Sequence, residues 1–181
     1  LPSTRLCFAP PDSDVQPSSP PVARNGFITF GSFQKLDKVS DTTLSAWATV
    51  LNELPTARLR LQSRPLGFHD AAEHMLQRMQ RVGMDVSRVD LLGGAARDKY
   101  LRAYNEIDIV LDTFPFPGGT TTAEALWMGV PTITLSGDTL IARQGESMMR
   151  CVGLSEWVAY SQADYVRIAV DMAADTATLT Q

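Results

Sequence analysis

The sequence predicts an α/β fold: a doubly wound, five-stranded parallel sheet with helices on both faces. Short apolar runs alternate with stretches of helical spacing along most of the chain. The helical stretches between runs are about ten residues long, which suits parallel crossovers better than hairpin turns. The 181 residues, 44% hydrophobic and 20% charged, suffice for one domain with its own core.

Phe27 to Phe30 reads as the first strand. Thr42 to Leu54 carries Leu44, Trp47, Ala48 and Leu51 at helical spacing, with Ser40 or Asp41 placed to cap it. Ala57 to Leu61 is the second strand, and Asp70 to Val82 is a helix with Met75, Leu76, Met79 and Val82 on one face. Val89 to Leu92 is the third strand, Arg97 to Asn105 a short helix, and Ile107 to Leu111 the fourth strand. Thr121 to Met128 is helical and stops near Gly129 and Pro131. Thr132 to Leu135 is the fifth strand, and Ile141 to Val152 and Gln162 to Ala174 are helices. Right-handed crossovers and the usual doubly wound arrangement give the strand order 3-2-1-4-5. The first and fourth strands then flank the switch point, where ligands bind at the strand C-terminal ends.

Residues 1–26, with Ala9-Pro10-Pro11 and Ser18-Ser19-Pro20-Pro21, read as an extended linker or a strap over a neighbouring domain, and residues 27–181 as the folded domain. The formal charge of −4 argues against broad electrostatic binding to nucleic acid. No apolar run approaches the roughly 18–20 residues of a membrane span. The start, Leu1-Pro2-Ser3, has neither a methionine nor a signal-peptide pattern, so a fragment of a longer, cytoplasmic protein is expected. Cys7 and Cys151 form no metal-type pair and read as free thiols.

The stretch from Leu111 to Leu126, LDTFPFPGGTTTAEAL, carries the most chemistry. A strand runs into a Pro/Gly loop, and three threonines open a helix whose first N–H groups and dipole suit a phosphate. Gly118, Gly119, Thr120 and Thr121 would form that cradle; an ordinary helix cap is the alternative. Glu124, expected in the first turn, could accept from a sugar hydroxyl. Lys35 and Lys38, in the loop after the first strand, either face solvent or set positive charge against the phosphates. Ala95, Arg97 and Tyr100 follow the third strand, so backbone groups could read a base there and Tyr100 could stack on it. A plain glycine turn is the alternative. Asp112 reads as a residue that orients the following loop. His69 and His74 join no nucleophile or metal pattern.

The run FQKLDK at 33–38, LDT at 111–113, GGTTTAEALWMGVP at 118–131 and GDTLIAR at 137–143 resembles, in order, the protein O-linked N-acetylglucosamine transferases and the related SPINDLY proteins. The resemblance spans about residues 26–175, and its elements are specific only together. It implies the C-terminal lobe of a two-lobed GT-B glycosyltransferase, with a Rossmann-like donor domain. The family's pyrophosphate-binding lysine falls on Lys38, which would be the catalytic residue that stabilises charge on the leaving diphosphate, and its phosphate-binding helix start falls on Thr120 and Thr121. Its ribose carboxylate falls on Glu124 and its base-contacting backbone on Ala95, with Arg97 and Tyr100 flanking. This chain departs from the family at several places: Gly119 stands where a histidine is common, Ala103 where animal members carry arginine, Lys35 where glutamine is usual, Glu124 where many members have aspartate, and Tyr100 where animal enzymes have histidine and bacterial ones an aromatic residue.

The resemblance implies a UDP-N-acetylglucosamine donor, an inverting transfer to protein Ser or Thr, and no metal or other cofactor. The partners implied are a missing N-terminal lobe and a helical TPR region that recruits acceptor proteins. A SPINDLY-like O-fucosyltransferase using GDP-fucose, or a degenerate lobe serving as a non-catalytic interaction module, are the alternatives. A plain dinucleotide binder is disfavoured, because the first strand leads to SFQKLDK with no GxGxxG.

Overall fold

A computed structural model of the chain describes residue 4, residues 6–175 and residue 179. Residues 1–3 and 5 of the N-terminal segment, and 176–178, 180 and 181 of the domain, lie outside the described residues. The strands are β1 (Thr29–Ser32), β2 (Arg58–Gln62), β3 (Val89–Leu92), β4 (Ile109–Leu111), β5 (Thr132–Leu135) and β6 (Val158–Ala159). They pair in parallel in the order β3-β2-β1-β4-β5-β6. The helices are α1 (Val22–Asn25), α2 (Asp41–Glu53), α3 (His69–Arg81), α4 (Arg97–Arg102), α5 (Thr120–Trp127), α6 (Gln144–Cys151) and α7 (Gln162–Ala174).

The expected sheet therefore gains a sixth strand at its β5 edge. Val158–Ala159 is only two residues long, too short to show a strand period. The first strand also starts and ends two residues later than expected, taking in Gly31, which reads in sequence as a loop residue. A Cβ at position 31 would fall on the Ile107 side chain, so glycine lets Ile107 pack against the strand backbone. The fourth strand begins only at Ile109; the buried Asp108 side chain before it accepts from the Val22 and Thr29 N–H groups, both at 2.8 Å. Helix α4 gives way to a 3₁₀ turn over 103–106, and the helix expected from 141 starts at Gln144. Before it, Thr139 accepts from the Ala142 and Arg143 N–H groups, and Arg143 Nε donates to the Gly137 carbonyl at 2.9 Å.

Alternation along the strands feeds two cores. Phe30, Ile109 and Leu111 point to the face packed with Leu44, Trp47, Met79 and Tyr165. Val110 points the other way, to a smaller cluster with Phe33, Leu101, Tyr104 and Ala125. The Pro/Ser-rich segment lies on that second flank. Val15 is buried in the smaller cluster, and Asn105 donates to the Gln16 carbonyl and accepts from the Ser18 N–H. Ser40 caps α2 by accepting from the Thr43 N–H at 3.0 Å. Because β1 and β4 are neighbours, the loops that follow them open side by side at the C-terminal edge.

Candidate functional site

Helix α5 begins at Thr120, directly after Gly119, and no side chain caps it. Its first N–H groups face the C-terminal edge without an intrahelical acceptor. Gly118 cannot be larger: a Cβ there would fall on Gln34 Nε2 and on the Thr121 and Thr122 hydroxyls. Thr120 is exposed, Thr121 half-buried and Thr122 buried.

Asp112 is the hub beneath this turn. It is fully buried and accepts from the Gly118 N–H at 2.7 Å, the Thr113 N–H at 2.9 Å and the Thr134 hydroxyl at 3.0 Å. Gln34 Nε2 donates to the same carboxylate at 3.3 Å and to Thr121 Oγ1 at 2.7 Å, joining the two loops. Burial pushes the Asp112 carboxyl up to about 6, against the pull of its donors and of Lys38.

Lys38 closes the other side. Its Nζ donates to the Pro117 carbonyl at 3.1 Å and lies 4.4 Å from the centre of the Phe116 ring. Burial holds the ammonium below the usual lysine range, opposed by the Asp112 and Asp37 carboxylates. Lys38, Gln34, Phe116, Gly119, Thr120 and Thr121 line a cleft of about 550 Å³. A second cleft of about 560 Å³, lined by Arg64, Gly94, Ala95 and Tyr100, shares Phe33, Lys35 and Asp37 with the first. The two form one trough along the sheet edge, and Lys35 stands exposed where they meet.

On the Ala95 side, the Tyr100 ring meets Phe33 edge-on at 5.5 Å, and Phe33 stacks on Tyr104 at 4.0 Å. The Tyr100 and Tyr104 hydroxyls bond at 3.1 Å, and Tyr104 donates to the Thr121 carbonyl at 3.1 Å. The Tyr100 side of the trough and the helix start thus share one aromatic support, and burial holds both phenols above their usual range.

Glu124 departs from its expected place. It sits in the second turn of α5, only 3% exposed, and pairs with Arg97 Nη1 at 2.5 Å. Arg97 is half-exposed, so the pair joins the α4 and α5 helices at the trough wall.

The structure brings Lys35, Lys38, Gly119, Thr120 and Thr121 to one cleft and Lys35, Ala95 and Tyr100 to the adjoining one; Gly118, Arg97 and Glu124 stand behind the lining. His69 and His74 are exposed on α3, and Cys7 and Cys151 are exposed free thiols. Sequence reasoning missed Gln34 and Gln144, two buried amides that hold the turn. A polar residue at a buried position carries no period of its own. The one sequence signal, a glutamine beginning the helix after GDTLIAR, reads equally as a surface residue. Among the described residues no group of three or more His, Cys, Asp or Glu side chains is placed to hold a metal ion, and no helix is long and apolar enough to cross a membrane.

The family model of glycosyl transferase family 41 matches residues 22–181. A probable UDP-N-acetylglucosamine–peptide N-acetylglucosaminyltransferase SPINDLY of Petunia hybrida is 37% identical over 99% of this chain and 19% of its own length. The protein of the same name from Oryza sativa subsp. japonica is 39% identical over 100% of this chain and 20% of its own length. The solved structure of a mutant O-GlcNAc transferase from Thermobaculum terrenum superposes with a TM-score of 0.87 at 37% identity, covering 94% of this chain and 32% of that one. The chain thus spans about a fifth of the length of the SPINDLY relatives it matches.

Proposed function

Because this chain belongs to glycosyl transferase family 41, we propose that it is the donor-binding lobe of an enzyme that moves a sugar from a nucleoside diphosphate to a protein hydroxyl. UDP-N-acetylglucosamine is the donor the relatives' names favour. One observation carries the reading: Lys38 and the uncapped start of α5 line the same cleft. A cation opposite free helix N–H groups suits a diphosphate. The adjoining cleft beside Ala95 and Tyr100 offers room for the nucleoside.

In the proposed inverting reaction, the acceptor oxygen attacks the anomeric carbon as the bond to the β-phosphate oxygen breaks. The electron pair leaves with the diphosphate, and the acceptor proton passes to a base. The contribution of this lobe is electrostatic: Lys38 and the α5 amides meet the charge that grows on the leaving group. Thr121 is held for this by Gln34, which ties it to the Asp112 hub.

Isothermal titration of the chain with UDP, GDP, UDP-N-acetylglucosamine and GDP-fucose tests the reading. Micromolar binding of UDP and its sugar is expected. Preference for GDP and GDP-fucose would assign the alternative fucosyl donor, and binding of none would leave an interaction module.

A further inference from the structure

The geometry points to Gln144, from the start of α6, as a positioning residue of the donor site, which clamps the Gly118–Gly119 peptide so that its N–H faces the diphosphate. The inference rests on the donor-site reading above.

Gln144 is 5% exposed, and its Nε2 donates to the Gly118 carbonyl at 2.7 Å. The Gly118 N–H is held from the other side by Asp112, also at 2.7 Å. Gly118 therefore has both backbone polar groups fixed by buried side chains from two different elements. The only cis peptide among the described residues is Phe114–Pro115, so the 118–119 peptide is trans. In a trans peptide the N–H points opposite to the C=O. With the carbonyl turned to Gln144, the Gly119 N–H points away from α6. Among the described residues, nothing accepts from it. Gly119 itself lines the cleft with Thr120, Thr121 and Lys38.

The same amide accounts for the missing side chain at position 119. A Cβ there would stand 2.8 Å from Gln144 Nε2. Gln144 thus occupies the space beside the turn that a side chain at 119 would need. Gly119 and Gln144 are one arrangement: the glycine makes room for the amide, and the amide sets the peptide that the glycine begins. A side chain at 119 makes the amide shift and so loosens its hold on the Gly118 carbonyl.

Three variants test this: Gln144→Leu, which keeps the volume and removes the donor, Gly119→Ala, and the double variant. The full 181-residue chain is titrated with UDP and GDP, with melting as a check on folding. For the nucleotide that the wild-type chain binds, each single variant is expected to weaken binding about tenfold, the loss of one well-placed hydrogen bond to a charged group. The double variant should bind as weakly as either single one, because both break the same clamp. In ¹⁵N–¹H spectra the Gly119 amide should shift on titration in the wild type and much less in Gln144→Leu. That readout would not follow from a general packing defect. Wild-type binding with Gln144→Leu unchanged in affinity and in the Gly119 shift, or with fully additive losses, would overturn the inference and leave the donor site standing. Binding of neither UDP nor GDP to the wild type would overturn both.

Discussion

Lys38 sits where two demands meet. Its ammonium lies over the Phe116 ring and donates to the Pro117 carbonyl, so it is pre-positioned at the cleft. A Lys38→Ala variant should bind UDP or GDP about 10- to 100-fold more weakly, the range for losing a charge-assisted bond to phosphate. Titration calorimetry reads this directly, and unchanged affinity would detach Lys38 from the donor. Asp112 makes a separate prediction, because burial raises its pKa to about 6. The folded state then keeps a proton to higher pH than the unfolded chain does. Between the usual carboxylate range and about pH 6 the native state binds more protons, so the stability from this group grows as pH falls and is lost as pH rises through 6. Relative to Asp112→Asn, the wild type should gain up to about 3 kcal/mol on going from about pH 7.5 to about pH 4. Calorimetric melts of both proteins at the two pH values check it, and a constant difference would refute it. These residues also show what the chain made legible. Lys38 follows β1, and Thr120 and Thr121 open the helix that follows β4; the βα alternation brings these two places together, so their meeting was readable. Gln34 and Gln144 act on backbone atoms far away in sequence, and Glu124 pairs with Arg97 across two helices. Neither kind of contact leaves a local pattern.

At the scale of elements, the long periodic helices and the apolar strands were readable because burial imposes a period on them. The β6 strand and the delayed start of α6 were not, since two residues show no period and the turn before α6 is set by Thr139. The elements away from the trough make predictions about stability. Arg88 reaches from the turn before β3 to the C-terminal end of α2, where its Nη1 donates to the Leu51 carbonyl at 2.7 Å and the Leu54 carbonyl at 3.1 Å. It satisfies carbonyls that a helix end leaves without partners and lays a cation at the negative pole. Arg88→Ala should cost about 2 kcal/mol, or roughly 4–8 °C in melting temperature for a chain of this size. Nucleotide affinity should not change. A melt and a titration on the same sample separate the two readouts, and a loss of affinity would mean that α2 and the loop before it are coupled.

At the scale of the whole molecule, the trough lies at the C-terminal edge of the sheet, with the exposed side chains of Phe116, Leu140 and Ile141 near its β4 and β5 end. On the proposed reading the trough offers a leaving diphosphate a cation, helix N–H donors and a braced glycine turn. An inverting transfer needs as much again on the far face of the sugar, where the acceptor hydroxyl must be held and lose its proton. The described residues of the trough place no histidine there: His69 and His74 are exposed on α3. The relatives are about five times as long as this chain, which covers 19% and 20% of two of them. The prediction is a separation of binding from turnover. The 181-residue chain should bind donor and release no sugar to an acceptor peptide, whereas a longer protein carrying this lobe should transfer it. Lys38→Ala in the longer protein should then lower kcat more than it raises KM, because the charge it meets is greatest as the diphosphate departs. Mass spectrometry of the acceptor peptide, with steady-state kinetics on the longer protein, decides it. Transfer by the chain alone would mean that the lobe holds its own base, and an unchanged kcat would confine Lys38 to ground-state binding.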